Sequence, residues 1–108
     1  MQSQKNGLIQ YDYKIIGKSG IVHLFNAYVN DGYNQFLVKK VEMLDSMEYI
    51  KILGEHIDVG LPVIIIASNL GKSVEQFIED YKDIIVFQEG SIEDISYLDL
   101  VNMAVKKQ

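Results

Sequence analysis

Ile21-Val22-His23-Leu24-Phe25-Asn26-Ala27-Tyr28-Val29-Asn30 decides the fold, because a run this apolar and this short can close into a helix or extend into a strand. As a helix, it gathers Ile21, Val22, Leu24, Phe25, Tyr28 and Val29 on one side and leaves His23, Asn26, Ala27 and Asn30 on the other. Ser19 then stands near the N-cap and Gly32 near the C′ position, which supplies start and stop signals. As a strand, it carries apolar residues on both faces, and Asn30-Asp31-Gly32 becomes a hairpin tip leading into Gln35 to Val41. The helical sorting is the cleaner of the two, so the sequence predicts a helix over 21–30.

On the N-terminal side, Leu8 to Ile16 alternates, with Ile9, Tyr11, Tyr13 and Ile15 on one face and Gln10, Asp12 and Lys14 on the other, which predicts a strand with one wet face. On the C-terminal side, Phe36-Leu37-Val38 begins a short strand running to Val41. A helix follows Asp45-Ser46, with Met47, Ile50, Leu53 and Ile57 at helical spacing as its apolar face, and Gly60 and Pro62 end it. Val63 to Ala67 and Ile84 to Phe87 are too short for helices and too uniformly apolar for half-exposed strands, so both predict buried parallel strands. Ser73 with Gln76 predicts a third helix bearing Val74, Phe77, Ile78 and Tyr81, and Ser91 starts a fourth with Glu93 and Asp94 first and Lys106-Lys107 last. Strand and helix thus alternate four times. The expectation is one α/β domain over residues 1–108, its polar residues 1–6 disordered, built on a four-to-five-stranded, mainly parallel sheet of alternating βα units.

Composition narrows the function. The 108 residues carry 15 acidic and 10 basic side chains, a net charge of −5, which opposes binding to a phosphate backbone; the basic pairs Lys39-Lys40 and Lys106-Lys107 are too short to reverse that. No nucleic-acid partner is expected. The absence of cysteine excludes a disulfide framework, a thiol nucleophile and a thiolate zinc site, and fits the cytoplasm. No apolar run approaches the length of a membrane span, so no membrane partner is expected, while the oligomeric state stays open.

Residues that suggest chemistry have simpler roles. Gly71-Lys72-Ser73 matches the tail of a phosphate-binding loop, but Ile66 occupies the place of the loop's first glycine. His23 and His56 lack further ligands at metal-binding spacing and are expected as solvated helix-face residues. Glu42, Asp45, Glu48, Glu55, Asp58, Glu75, Glu79 and Asp80 are expected on solvated faces or as helix N-terminal charges, and Tyr28, Tyr49 and Tyr81 in the core. The expectation is therefore no enzyme, no metal and no cofactor.

Asp45 and Ser46 both suit the start of a helix, and Glu48 completes an acidic form of the capping box. The pattern Val41-x-x-Leu44-Asp45-Ser46-x-x-Tyr49 resembles the STAS domain, the anti-sigma-factor-antagonist family, whose mark is a strand followed by a helix start with Asp-Ser-Ser-Gly. Gly17, Gly60, Ala67-Ser68 and Tyr81-Lys82-Asp83-Ile84-Ile85-Val86-Phe87 extend the resemblance over Gly17 to Val101, and Met47 and Glu48 stand where the family has Ser and Gly. The resemblance implies a STAS-like fold and a regulatory protein-binding module. It further implies that Ser46 accepts a phosphate from a kinase-type regulator, with Asp45, Ser46 and Met47 forming the partner-binding site. Phosphate at Ser46 would add about −1.5 to −2 charges beside Asp45 and change the sign of a docking surface.

The strand reading of 21–30 leads elsewhere. Two hairpin strands feeding Lys39 or Lys40, then helix and strand, resemble a shrunken restriction-endonuclease-like core. Leu37 and Val38 hold the places where that family's metal-assisted cleavage needs a carboxylate, so the resemblance implies a catalytically inactive domain. A structural or oligomerising module is the remaining alternative.

Overall fold

The computed structural model describes residues 8–76, 78, 81–92 and 94–108, so the disorder expected over residues 1–6 lies outside the described residues. Strands β1 (Leu8–Ile16), β2 (Val22–Asn30) and β3 (Gln35–Leu44) are followed by helix α1 (Ser46–Val59), strands β4 (Val63–Leu70) and β5 (Ile84–Gln88), and helix α2 (Tyr97–Lys107). They form one sheet in the order β1-β2-β3-β4-β5. The first three strands are antiparallel neighbours, whereas β3, β4 and β5 run parallel.

The sheet is therefore mixed, which corrects the expected mainly parallel sheet of alternating βα units and, with it, the STAS-like arrangement. The cause is the segment 21–30, which is strand β2 and not a helix. Phe25 is buried on the α1 side and Ala27 and Val29 on the α2 side, while Val22 and Leu24 are apolar yet exposed. Those two outward side chains hid the period-two pattern, and pairing with β1 and β3 outweighs a local preference that favoured a helix. The Asn30-Asp31-Gly32 tip closes the β2–β3 hairpin: Asp31 Oδ1 accepts from the backbone of Tyr33 (2.8 Å) and Asn34 (2.6 Å), and Gly32 takes a φ of 96° that suits glycine.

Two more expected helices change. After Ser73 the described residues form a 3₁₀ turn, Val74–Gln76; Phe77, Glu79 and Asp80 of the expected third helix lie outside the described residues. Ser91 ends another 3₁₀ turn, and α2 starts at Tyr97, where Ser96 caps the N–H of Asp99 at 3.1 Å. Asp94 has a φ of 66°, a left-handed conformation incompatible with the predicted first turn, while Glu93 lies outside the described residues. The buried strands β4 and β5 form as expected.

Two cores result, one on each side of the sheet. Ala27, Val29, Phe36, Val38, Ile64, Ile66 and Phe87 pack against Leu100, Val101 and Ala104 of α2. Leu37, Leu44, Val63, Ile65, Ala67 and Ile84 pack against Tyr49 and Ile52 of α1. The hairpin serves both: Ile9 and Tyr11 lie on the α2 side, whereas Tyr13 and Ile15 lie on the α1 side. Residues of equal parity reach opposite faces because β1 kinks at Asp12, whose φ of 50° interrupts the pleat. Among the described residues no helix is long and apolar enough to cross a membrane.

Candidate functional site around helix α1

Helix α1 begins as its sequence dictates. Asp45 is the N-cap, and its Oδ1 accepts from the Glu48 N–H at 2.8 Å, which satisfies one of the backbone donors left over at a helix start. Ser46 lies next to the chain leaving β4: its hydroxyl and that of Ser73 share a hydrogen bond of 2.5 Å. Gly71 makes this approach possible, because its N–H donates to the Leu44 carbonyl at 2.9 Å and a Cβ there would sit 3.2 Å from the Asp45 Cα. The helix ends at Gly60, in a left-handed conformation, with its N–H donating to the His56 carbonyl.

Of the apolar face that the spacing predicts for α1, Leu53 packs half-buried against the sheet-side core, but the other three residues turn to solvent. Tyr49, Ile52 and His56 are buried, while Met47, Ile50 and Ile57 are 76%, 58% and 59% exposed. Met47, Ile50, Gly54 and Ile57 follow one another at intervals of three, four and three residues, which places them in a single stripe on the solvent side. Nothing lies within 4 Å of the position a Cβ on Gly54 would take, so the stripe is open at its centre.

His56 is buried and bonded at both ring nitrogens, not solvated. Its Nδ1 donates to the Leu61 carbonyl at 2.7 Å, which leaves Nε2 to accept from the Tyr81 hydroxyl at 3.1 Å. Of the tyrosines expected in the core, Tyr49 is buried, Tyr28 sits half-buried on a strand stacked on Tyr13, and Tyr81 is exposed with its ring edge against His56.

The second polar cluster was not expected from the sequence. His23, on β2, points at the C-terminal half of α1, where Nε2 donates to Asp58 Oδ2 at 2.7 Å and Nδ1 lies 3.7 Å from Glu55 Oε2. Asp58 also accepts from the Ser19 backbone at 2.8 Å and the Ser19 hydroxyl at 2.7 Å, and its own carbonyl takes the Lys18 N–H. The Ser19 hydroxyl, then the His23 ring and the Ser19 N–H, hold the Asp58 carboxyl down to about 2 from the usual 3.8. Gly17 leaves room for this carboxylate, since a Cβ on it would fall 2.0 Å from Asp58 Oδ2 and displace it. Glu55 and Asp58, expected on a solvated face, thus clasp the β1–β2 turn onto α1.

Lys39 completes the clasp. β2 and β3 are paired only from Ala27↔Val38 to Asn30↔Gln35, and beyond that point side chains replace the ladder. Lys39 Nζ donates to the Leu24 carbonyl at 2.7 Å, lies 3.3 Å from Glu55 Oε1 and stands 4.8 Å over the Phe25 ring, while Asn26 Oδ1 accepts from the Lys40 N–H at 2.7 Å. Chemically the cluster is a latch. Ser19 and His23 both donate to the same carboxylate, which ties the β1–β2 turn to α1, and Lys39 is held by Glu55. Among the described residues no group of three or more His, Cys, Asp or Glu is placed to hold a metal ion.

No protein-family model and no curated protein sequence matches the chain. Its fold is similar to that of the crystal structure titled protein of unknown function AF1548, with a TM-score of 0.67 and 8% sequence identity, over 90% of this chain. This chain spans 57% of the length of that protein. At such identity the likeness concerns the fold alone.

Proposed function

We propose that the chain is a non-enzymatic protein-binding module that docks its partner on the outer face of α1. The observation that carries this reading is the bare stripe Met47-Ile50-Gly54-Ile57, on a helix whose opposite face is already fully used against the sheet. Exposed apolar residues aligned on one element mark an interaction surface, whereas singly scattered ones do not. Gly54 strengthens the point, because a mid-helix glycine destabilises a helix by about 1 kcal/mol relative to alanine, and close approach of a partner gives it a use. The test is partner capture by the folded protein and by Met47→Asp and Ile50→Asp variants. Loss of capture with an unchanged circular dichroism spectrum is expected; equal capture by all three contradicts the reading.

A phosphorylation switch at Ser46 fits the same surface, supported by one observation. The Ser46 hydroxyl, which a kinase-type regulator would modify, adjoins exposed Met47 and bonds Ser73. A phosphate there would break the Ser46–Ser73 bond and place charge at the edge of the stripe. Ser46→Glu is expected to weaken partner binding and Ser46→Ala to preserve it; equal binding by both removes the switch. The hairpin reading of 21–30 also supports an endonuclease-like scaffold without cleavage chemistry, since Leu37 and Val38 are buried core residues. Mg²⁺-dependent cleavage of plasmid DNA that is lost on replacing Lys39 or Lys40 would overturn the non-enzymatic reading.

A further inference from the structure

We infer that the occupant of the α1 stripe is a second copy of this chain, packed helix against helix in antiparallel fashion about Gly54. This rests on the reading of the outer face as a docking surface and names what covers it.

The first support is self-complementarity. Ile50 and Ile57 lie at nearly equal distances on either side of Gly54, so a two-fold axis beside Gly54 sets Ile50 of one copy against Ile57 of the other, twice over. Glycine faces glycine at the centre, where nothing within the chain obstructs close approach. The stripe spacing of three, four and three residues is that of a coiled-coil seam, which two helices fill with knobs and holes.

Charge selects the orientation. Lys18 reaches the C-terminal end of α1, with Nζ 4.0 Å from the place of a Cβ on Gly60, whereas Asp45 and Glu48 stand at the N-terminal end. Antiparallel packing brings Lys18 of each copy to Asp45 and Glu48 of the other. The helix dipoles oppose one another as well in the antiparallel pair. Parallel packing would set Lys51 against Lys51 and Glu48 against Glu48, like against like. Heterologous helices have no reason to match this pattern about one glycine.

The test is sedimentation equilibrium of the full chain from micromolar to millimolar concentration. A monomer–dimer equilibrium is expected for the wild type, with Ile57→Glu weakening it on the order of tenfold or more. Circular dichroism and thermal melting are recorded alongside to check that this variant folds, and Ile50→Gln provides a milder second one. Lys18→Glu and Glu48→Lys should each weaken the dimer, and the double reversal should restore it, which an unrelated interface or a parallel pair does not predict. A dimer indifferent to Ile57→Glu and Ile50→Gln overturns the inference. So does a wild-type chain that stays monomeric: if the stripe then captures a different protein in a Met47-dependent way, only the second copy is wrong, and if it captures nothing, the docking reading fails with it.

Discussion

The two faces of α1 reverse the arrangement that helical periodicity leads one to expect. The face against the sheet holds Tyr49, Ile52 and a histidine bonded at both nitrogens, and its flank carries Glu55 and Asp58 to the β1–β2 turn. The face toward solvent carries Met47, Ile50 and Ile57. His56 and Asp58 are tolerated inward because each is hydrogen-bonded to defined partners, and the Asp58 network specifies one docking geometry for the hairpin. The apolar side chains outside stay largely exposed. If the outer face docks a partner as proposed, the inner face governs folding and the outer face association, and the two should separate on mutation.

The largest expected effect is on the inner face. Ile52→Ala should destabilise the fold by about 2–5 kcal/mol in denaturant titrations, since Ile52 is fully buried, whereas Ile57→Ala should stay within about 0.5 kcal/mol. Equal losses at the two sites would remove the distinction between the faces. Next, His56→Ala leaves the Leu61 carbonyl and Tyr81 hydroxyl without their partner, and should lower stability by about 1–3 kcal/mol. A neutral result would mean that the inner polar pair contributes nothing.

The Asp58 clasp makes a pH-dependent prediction. Its carboxyl is held at about 2, below the 3.8 of an unperturbed aspartate, so ionised Asp58 favours the folded state. The stability difference between wild type and Asp58→Ala should be complete above pH 3.8 and shrink as pH falls toward 2. Acid titrations that run parallel across that range would contradict the latch. The smallest effect concerns Gly54→Ala, which should stabilise the monomer by up to about 1 kcal/mol because a methyl there meets only open space, while weakening association. An alanine that strengthens both would show that the glycine is not a contact point.

How much of this was legible in the sequence varies with the locality of the cause. The buried strands β4 and β5, the Asp45 cap and the Gly60 stop follow from neighbouring residues, and the structure shows all of them. Strand β2 was not legible, because Val22 and Leu24 are apolar on an exposed face and only pairing with β1 and β3 settles its conformation. The His23 cluster was missed for the same reason: with 21–30 taken as a helix, His23 could not be placed opposite Glu55 and Asp58, which lie more than 30 residues away. One signal pointed there, the Asn30-Asp31-Gly32 hairpin tip. The outer stripe of α1 was visible as periodicity, but periodicity does not say which apolar face meets the sheet.

The most direct test of the claim that α1 pairs with a second copy through its outer face is the concentration dependence of its methyl resonances. In spectra recorded on a dilution series, the Met47 methyl and the δ1 methyls of Ile50 and Ile57 should shift together as concentration rises, while that of Ile52 stays fixed. Stationary resonances across the stripe, or shifts confined to Ile16 and Ile21 on the exposed hairpin, would contradict it.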